Sequence, residues 1–230
     1  MPLRLASYNI HAGVGSDGRF HPRRLAEVLR QLDADVIGLQ EVISLGPDGC
    51  ALLDELAAAC GMQAIAGPTM MRGDADYGNA LLTRKPWRNV RRLELDSDRY
   101  EPRGALSIEI EADQQPLTVA VTHLGLRRGE RRAQIEQLLR WLPQPPAPVV
   151  LLGDLNEWLP WSRNLRMLNK RFSIGPASPT FPTRLPLLAL DRILTSPAAK
   201  LARRSCCNTA LCRIASDHRP LLAELHLATE

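Results

Sequence analysis

A short apolar run, residues 148–152, constrains the fold more than any other stretch of the 230-residue chain. Because it contains no polar residue, it predicts a β-strand that is buried on both faces. It ends at Gly153 and is followed by Asp154 and Asn156, whose side chains share one face of an extended chain. A carboxylate and an amide at the end of a core strand cost free energy unless a polar partner is present. The stretch therefore indicates either a functional site or a turn in which the Asp and Asn side chains end the strand.

The composition is that of a globular chain, with 45% apolar residues to fill a core. The proline-rich segment 143–148 is too short for an interdomain linker, so we predict a single domain over residues 1–230. The 29 basic and 25 acidic residues leave a net charge of +4. Such a mild excess permits a polyanionic partner but does not require one.

The cysteines and the N-terminus bear on the cellular environment. Five cysteines without Cys-x-x-Cys spacing argue against a disulfide framework and against a zinc site. The N-terminus turns polar too soon for a signal peptide. No apolar run approaches the roughly 20 residues of a membrane-spanning helix. We therefore predict a cytoplasmic protein with no transmembrane segment and no obligate protein partner.

Hydrophobic periodicity predicts alternating strands and helices. We expect helices over residues 22–32, 50–60 and 127–141, and a polar loop over residues 70–77. The expected strands cover residues 3–10, 35–39, 62–66, 78–83, 103–110, 117–122, 148–152, 187–194, 201–212 and 221–227. Asp191 then falls inside a strongly apolar strand, where an acid is costly unless it faces a site.

Several of these strands end in polar residues. The set is Asn9, Glu41, His123, Asp154, Asn156, Asp191, Asp217 and His218. Taken singly, each has an ordinary structural explanation as a cap or a solvated end. Together they form an oxygen-rich set that suits a hard cation such as Mg²⁺ or Mn²⁺. A histidine beside an acid, as in Asp217-His218, can serve as a general base or as a phosphate ligand. This inventory fits metal-assisted attack of water on a phosphoester.

The polar motifs also occur in a familiar order. They are Tyr8-Asn9, Gln40-Glu41, Gly78-Asn79-Ala80-Leu81, Thr122-His123-Leu124, Gly153-Asp154-Leu155-Asn156, Asp191-Arg192-Ile193 and Ser216-Asp217-His218. In this order, the sequence resembles the endonuclease/exonuclease/phosphatase superfamily, which is DNase I-like, from residue 3 to about residue 227. The resemblance implies an α/β fold: a four-layer α-β-β-α sandwich of two packed mixed β-sheets flanked by helices.

The resemblance also implies roles for individual residues. The expected Mg²⁺ ligands, with Mn²⁺ as an alternative metal, are Asn9, Glu41 and Asp217. The expected catalytic residues are His123 as a transition-state donor, Asp154 as the acid that activates water, His218 as a contact to the scissile phosphate or as the base, Asn156 as a phosphate-binding amide and Asp191 as the acid that orients His218. The expected substrate contacts are Asn79, Arg103 and Thr180. Between Asp154 and His218 the base role stays open.

The substrate is less constrained than the reaction. Abasic-site endonucleases of the superfamily usually carry a tyrosine and an asparagine where this chain has the segment from Thr122 to Gly125, and a tyrosine where it has Arg192. These departures favour the general phosphodiesterase and phosphatase branch. We predict a metal-dependent phosphodiesterase that acts on a nucleic-acid, lipid-derived or small-molecule phosphoester. The alternatives are a DNA or RNA nuclease, and a catalytically inactive binding domain. The arginines of 127–132 face either a polyanion or solvent.

Overall fold

The computed structural model of the chain describes residues 2–46, 51–95 and 99–227. The strands within these residues are β1 (Leu3–Asn9), β2 (Val36–Ile43), β3 (Gln63–Arg72), β4 (Ala75–Thr83), β5 (Trp87–Glu94), β6 (Gly104–Ala112), β7 (Gln115–His123), β8 (Val149–Asp154), β9 (Asp191–Thr195), β10 (Ala199–Cys206) and β11 (Leu221–Leu227). The α-helices are α1 (Pro22–Leu32), α2 (Leu52–Cys60), α3 (Arg128–Trp141), α4 (Arg163–Asn169) and α5 (Cys212–Ala215).

The strands form two sheets. The six-stranded sheet has the order β10-β11-β1-β2-β4-β3, and the five-stranded sheet has the order β5-β6-β7-β8-β9. Each sheet contains one parallel pair, β1 with β2 and β7 with β8, and the other pairs are antiparallel. The predicted pair of mixed sheets is therefore confirmed.

Three apolar clusters hold four layers together. Between the sheets, Leu5, Val36 and Leu81 of one sheet pack in one cluster with Ile108, Val121, Leu152 and Ile193 of the other. Helices α1 and α2 cover the outer face of the six-stranded sheet. Helices α3 and α4 cover the outer face of the five-stranded sheet. This arrangement is the predicted α-β-β-α sandwich, and all six residues of β8 are buried within it.

Three local predictions were wrong or incomplete. Residues 70–77 are not a loop, because β3 and β4 run through them and turn at Gly73 and Asp74. Their polar side chains reflect the position of β3 at a sheet edge, where one side is open to solvent. Asp191 begins β9 instead of lying in mid-strand. Helix α2 begins at Leu52, and the predicted start at residue 50 lies outside the described residues.

The C-terminal cysteines also differ from the expectation. Residues 201–212 are not one bent strand, since β10 ends at Cys206 and α5 begins at Cys212. Cys207 and Cys212 form a disulfide across the intervening loop. The odd cysteine count could not reveal a pair that close in sequence. In the described parts of the chain, no helix is long and apolar enough to cross a membrane.

The two sheets approach each other closely at Gly38 of β2. A Cβ atom at this position would lie 3.0 Å from Cβ of Leu152 and 3.1 Å from Cγ2 of Val121. The glycine therefore lets β2 pack directly against β7 and β8, directly below the strand ends that carry the polar residues.

We expect Gly38→Ala to lower the free energy of unfolding by about 1–3 kcal/mol, because overpacking a tight core forces neighbours apart. Urea denaturation measures this change. Gly129→Ala is the matched control, since a Cβ there meets no atom within 4 Å. In the control, helix propensity should add up to about 1 kcal/mol of stability. Equal effects at both positions would contradict the close packing at Gly38.

Candidate active site

The strand directions bring the polar residues to one edge of the sandwich. Asn9, His123 and Asp154 end β1, β7 and β8, and Asp191 begins β9, which runs antiparallel to β8. In the registers, His123 pairs with Asp154, and Asp154 pairs with Asp191. The segment before β11 brings His218 to the same edge, because β11 is antiparallel to β1.

Asp154 is the centre of the cluster, and it is 1% exposed. Its Oδ2 accepts a hydrogen bond from Asn9 Nδ2 at 3.1 Å, and its Oδ1 accepts one from the backbone N–H of Asn156 at 3.0 Å. Nε2 of His123 lies 3.6 Å from Oδ2, and Nε2 of His218 lies 3.7 Å from the same atom. One carboxylate therefore links residues from both sheets.

The end of β8 has an unusual backbone that explains its sequence. A side chain at Gly153 would place Cβ 2.1 Å from the carbonyl oxygen of Thr122, so only glycine fits. Asn156 has a φ of 50°, in the left-handed region. Its Nδ2 donates to the carbonyl oxygen of Leu124 at 2.9 Å and lies 3.2 Å from Nε2 of His123. Such strained residues cluster at functional sites, where the surrounding structure holds them in place.

His218 lies between carboxylates. Its Nδ1 donates to Oδ2 of Asp191 at 2.8 Å, and the hydroxyl of Thr180 donates to the same oxygen. Burial opposes the charged form of this histidine, but the charge and hydrogen bond of Asp191, followed by the charges of Asp154 and Asp217, raise its pKa to about 10. Without a bound cation, His218 is therefore an imidazolium at neutral pH, and its Nε2–H is the remaining donor.

His123, unlike His218, has a lowered pKa and is neutral. Burial, reinforced by the charge of Arg103, lowers its pKa to about 3 even though Asp154 favours the charged form. Nη1 of Arg103 donates to Nδ1 of His123 at 3.0 Å. Because Nδ1 accepts, the proton of the neutral ring is on Nε2, the nitrogen that faces Asp154. His123 is thus a neutral hydrogen-bond donor.

A β-bulge directs Glu41 towards the site. The register between β2 and β4 shifts between Leu39 and Val42, and Glu41 has a φ of 55°. Bulges beside active sites commonly re-aim a side chain in this way. As a result, Oε1 of Glu41 accepts a hydrogen bond from Asn9 Nδ2 at 2.9 Å. The predicted pair Asn9 and Glu41 is therefore in contact, and it adjoins Asp154.

The remaining predicted residues lie around this cluster. Asp217 is partly exposed, and its Oδ1 lies 3.9 Å from Nδ1 of His11, a neighbour that sequence reasoning did not single out. Asn79 is buried, and its Nδ2 donates to the carbonyl oxygen of Gly104 at 2.9 Å. Thr180 is fully buried against Asp191, a position that favours orienting the acid over the predicted contact with substrate.

The donor set fits a divalent cation. Among the described residues, ligand atoms of Asp154, Asp191 and His218 lie within 4.8 Å of one another. Oδ1 of Asp191 is buried and has no hydrogen-bond partner among the described residues, so it has a ligand position to fill. Of the predicted ligands, Asn9 donates to both Glu41 and Asp154 and so joins Glu41 to this cluster. Carboxylate and amide oxygens suit Mg²⁺ or Mn²⁺.

Two features beside the site were missed by sequence reasoning. The ring of Phe181 lies 4.9 Å from the ring of His218 and helps to bury it. Arg131 is 4% exposed, and its guanidinium donates to the carbonyl oxygen of Leu126 and lies 3.4 Å from Oε2 of Glu157. Arg131 is therefore structural and does not face a polyanion. Arg132 is exposed and pairs with Glu136 one turn along α3.

Comparisons with known proteins agree with this geometry. Residues 6–218 match the family model described as "Endonuclease/Exonuclease/phosphatase family". The uncharacterized protein YbhP of Escherichia coli K12 is 31% identical over 250 positions, which cover 98% of this chain and 96% of the relative.

Solved structures share the fold. An endonuclease/exonuclease/phosphatase from Beutenbergia cavernae matches with a TM-score of 0.82 at 21% identity, over 99% of this chain and 72% of that one. The mannosyl-6-phosphatase Bt3783 of Bacteroides thetaiotaomicron matches with a TM-score of 0.79 at 17% identity, over 98% of this chain and 100% of that one. These likenesses show a DNase I-like fold.

The pKa of His218 predicts how stability depends on pH in the metal-free protein. Because folding raises this pKa from 6.5 to about 10, the stabilisation is fully present below pH 6.5 and is lost as the pH rises through about 10. The free energy of unfolding, measured by urea denaturation in EDTA, should therefore fall over this range. The free energy of unfolding of Asp191→Asn should fall less steeply with pH. This variant lacks the carboxylate that contributes most to raising the pKa of His218. Equal slopes in the two proteins would count against the ion pair.

Proposed function

Because the chain belongs to the endonuclease/exonuclease/phosphatase family, we propose that it is a Mg²⁺-dependent phosphoester hydrolase, with phosphodiesters as its main substrates and Mn²⁺ as an alternative cofactor. One observation carries the proposal. Asn9, Glu41, His123, Asp154, Asp191 and His218, which come from both sheets, form one hydrogen-bonded and charged cluster at the strand ends. An isolated Asx turn after β8 would not require the other five residues.

The proposed mechanism divides the work among the residues. A bound divalent cation supplies positive charge that offsets the charge developing on the phosphoryl oxygens. Asp154, whose Oδ2 lies near both histidines, is proposed to orient the attacking water and accept its proton. His123 carries its proton on Nε2 and can donate a hydrogen bond to a phosphoryl oxygen. The amide of Asn156, beside that nitrogen, adds a second contact to the phosphate.

In the metal-free protein the pKa of His218 is raised to about 10, so it holds a proton at neutral pH, and its Nδ1 is already bonded to Asp191. We therefore propose that the carboxylates of the cluster would hold the cation, and that His218 is a phosphate contact held in place by Asp191 and not a metal ligand. This assignment makes Asp154 the proposed base. We also propose that residues 1–230 act as one domain, because neither sheet alone supplies the whole cluster. The cytoplasmic location remains a prediction.

Exposed apolar side chains near the site favour a lipid-derived or otherwise amphiphilic phosphoester. Leu126 is 72% exposed three residues after His123, and Trp158 is 42% exposed two residues after Asn156. Isolated exposed apolar residues are common, but two that closely follow candidate site residues in the chain suit a substrate with an apolar part. A nuclease is the second candidate, because the net charge of +4 permits a nucleic-acid partner and an exposed tryptophan can stack on a base.

We expect Glu41→Ala and His218→Ala to abolish turnover of a chromogenic phosphodiester. Loss of a positioned acid–base or charged contact lowers rates by about 10²–10⁴-fold. EDTA should have the same effect on the wild-type protein, and added Mg²⁺ should restore the activity. Asp54→Ala, which removes an exposed acid of α2, is the matched control and should leave turnover unchanged. Full activity in both site variants would contradict the proposed active site. No hydrolysis of any mono- or diester by the wild type would favour the inactive binding domain.

DNA binding separates the two candidate substrates. A nuclease that neutralises several phosphates should bind DNA with an affinity that falls steeply as salt rises. An enzyme for an amphiphilic phosphoester should instead show no DNA binding at low salt and should prefer a diester that carries an acyl chain. Leu126→Ser should remove that preference while hydrolysis of a short-chain diester remains. Tight, salt-sensitive DNA binding would decide for the nuclease.

A further inference from the structure

A cavity with a mixed polar and apolar lining lies on the other side of β9 from the candidate catalytic cluster. Its volume is about 270 Å³, and its walls include Arg192, Leu165, Arg166, Asn169 and Gly175. This volume is just below the range of about 300–1,000 Å³ typical of pockets for drug-sized ligands. The cavity therefore suits a small ligand.

The alternation of β9 separates the two sites. Ile193 packs in the cluster between the sheets, whereas Leu194 packs with the helices on the outer face. Because alternate residues of a strand share a face, Asp191 lies on the side of Ile193 and Arg192 lies on the side of Leu194. Asp191 and Arg192 therefore lie on opposite faces of β9.

Arg192 is buried without a partner. It is 2% exposed, and its Nε and Nη2 make no hydrogen bond among the described residues. An unpaired charge in such a place costs free energy unless a counter-charge is supplied. Burial lowers the pKa of Arg192, although the charges of Asp191 and Glu157 oppose this effect.

The nearby carboxylates make no hydrogen bond to Arg192 among the described residues. Oδ2 of Asp191 accepts hydrogen bonds from His218 and Thr180. Glu157 accepts from Asn164 Nδ2 at 2.9 Å and pairs with Arg131. A further guanidinium, that of Arg204, donates to the carbonyl oxygens of Ile174 and Pro176, next to Gly175 of the cavity wall. Within the described residues, Nε and Nη2 of Arg192 are therefore left without a hydrogen-bonded partner.

We propose that this cavity binds a small phosphate-type oxyanion, with the guanidinium of Arg192 as the main contact and Arg166 at the rim as the second. A guanidinium presents parallel N–H donors that match two oxygens of such an anion. Arg166 is exposed on α4, so it can close over an anion without a burial cost of its own. This site is separate from the proposed catalytic centre and does not depend on that function.

The test uses the full-length protein in EDTA, with inorganic phosphate as the probe and sodium chloride added to keep ionic strength constant. The thermal unfolding midpoint of the wild type should rise with phosphate and reach a plateau. Arg192→Met should show no such rise. Without phosphate, this variant should be at least as stable as the wild type, because an apolar side chain of similar length replaces an unpaired buried charge.

Three further variants keep the test decisive. Asn156→Ala removes a contact of the catalytic cluster and should keep the response to phosphate. Arg166→Ala, at an exposed position that carries no folding risk, should weaken phosphate binding about tenfold. Arg163→Ala, on the same helix but outside the cavity wall, should leave phosphate binding unchanged.

The proposal is overturned if the wild type shows no response to phosphate. It is also overturned if the response is lost in Asn156→Ala and retained in Arg192→Met, since phosphate would then bind at the catalytic cluster. Because the measurement needs neither metal nor turnover, its failure would leave the proposed hydrolase activity unaffected.

Discussion

The face-to-face packing of the two sheets is the constraint on which the rest of the structure depends. Where β2 lies against β7 and β8, a side chain at residue 38 would crowd Leu152 and Val121, and the glycine avoids this contact. This close approach brings the ends of strands from different sheets within hydrogen-bonding distance of one another. Asn9 of the six-stranded sheet can then donate to Asp154 of the five-stranded sheet. Without that approach, the polar strand ends would be separate surface features.

The sequence predicted the structure best in two respects: the buried apolar and amphipathic segments, and the order of the polar motifs along the chain. The all-apolar run before Gly153 is part of the buried strand β8. The polar residues that end β1, β7 and β8 mark the shared edge of the sandwich. Helix α1 covers the predicted residues, Pro22–Leu32, because its amphipathic pattern and its proline in the first turn agree. The order of motifs along the chain indicated the family and therefore the four layers.

Other features could not be read from the sequence because they depend on tertiary contacts. The polar residues of β3 and β4 indicated a loop, yet their position at a sheet edge makes a polar hairpin stable. The roles of Thr180 and Arg131 follow from the side chains that surround them, and no local pattern encodes those neighbours. Likewise, the opposite protonation of His123 and His218 depends on tertiary structure: burial, with a smaller contribution from Arg103, lowers the pKa of His123, whereas Asp191 and other carboxylates raise that of His218.

The pairing of the first strand with the last one has a consequence for biosynthesis. Leu3 of β1 lies opposite Leu225 of β11, and His218 immediately precedes that last strand. A nascent chain on the ribosome therefore cannot assemble the candidate catalytic cluster until the residues through β11 have emerged. Contacts so distant in sequence also slow folding, because the chain must close a large loop before the pairing stabilises it. A partly synthesised chain would thus hold most of the reactive groups and yet remain inert.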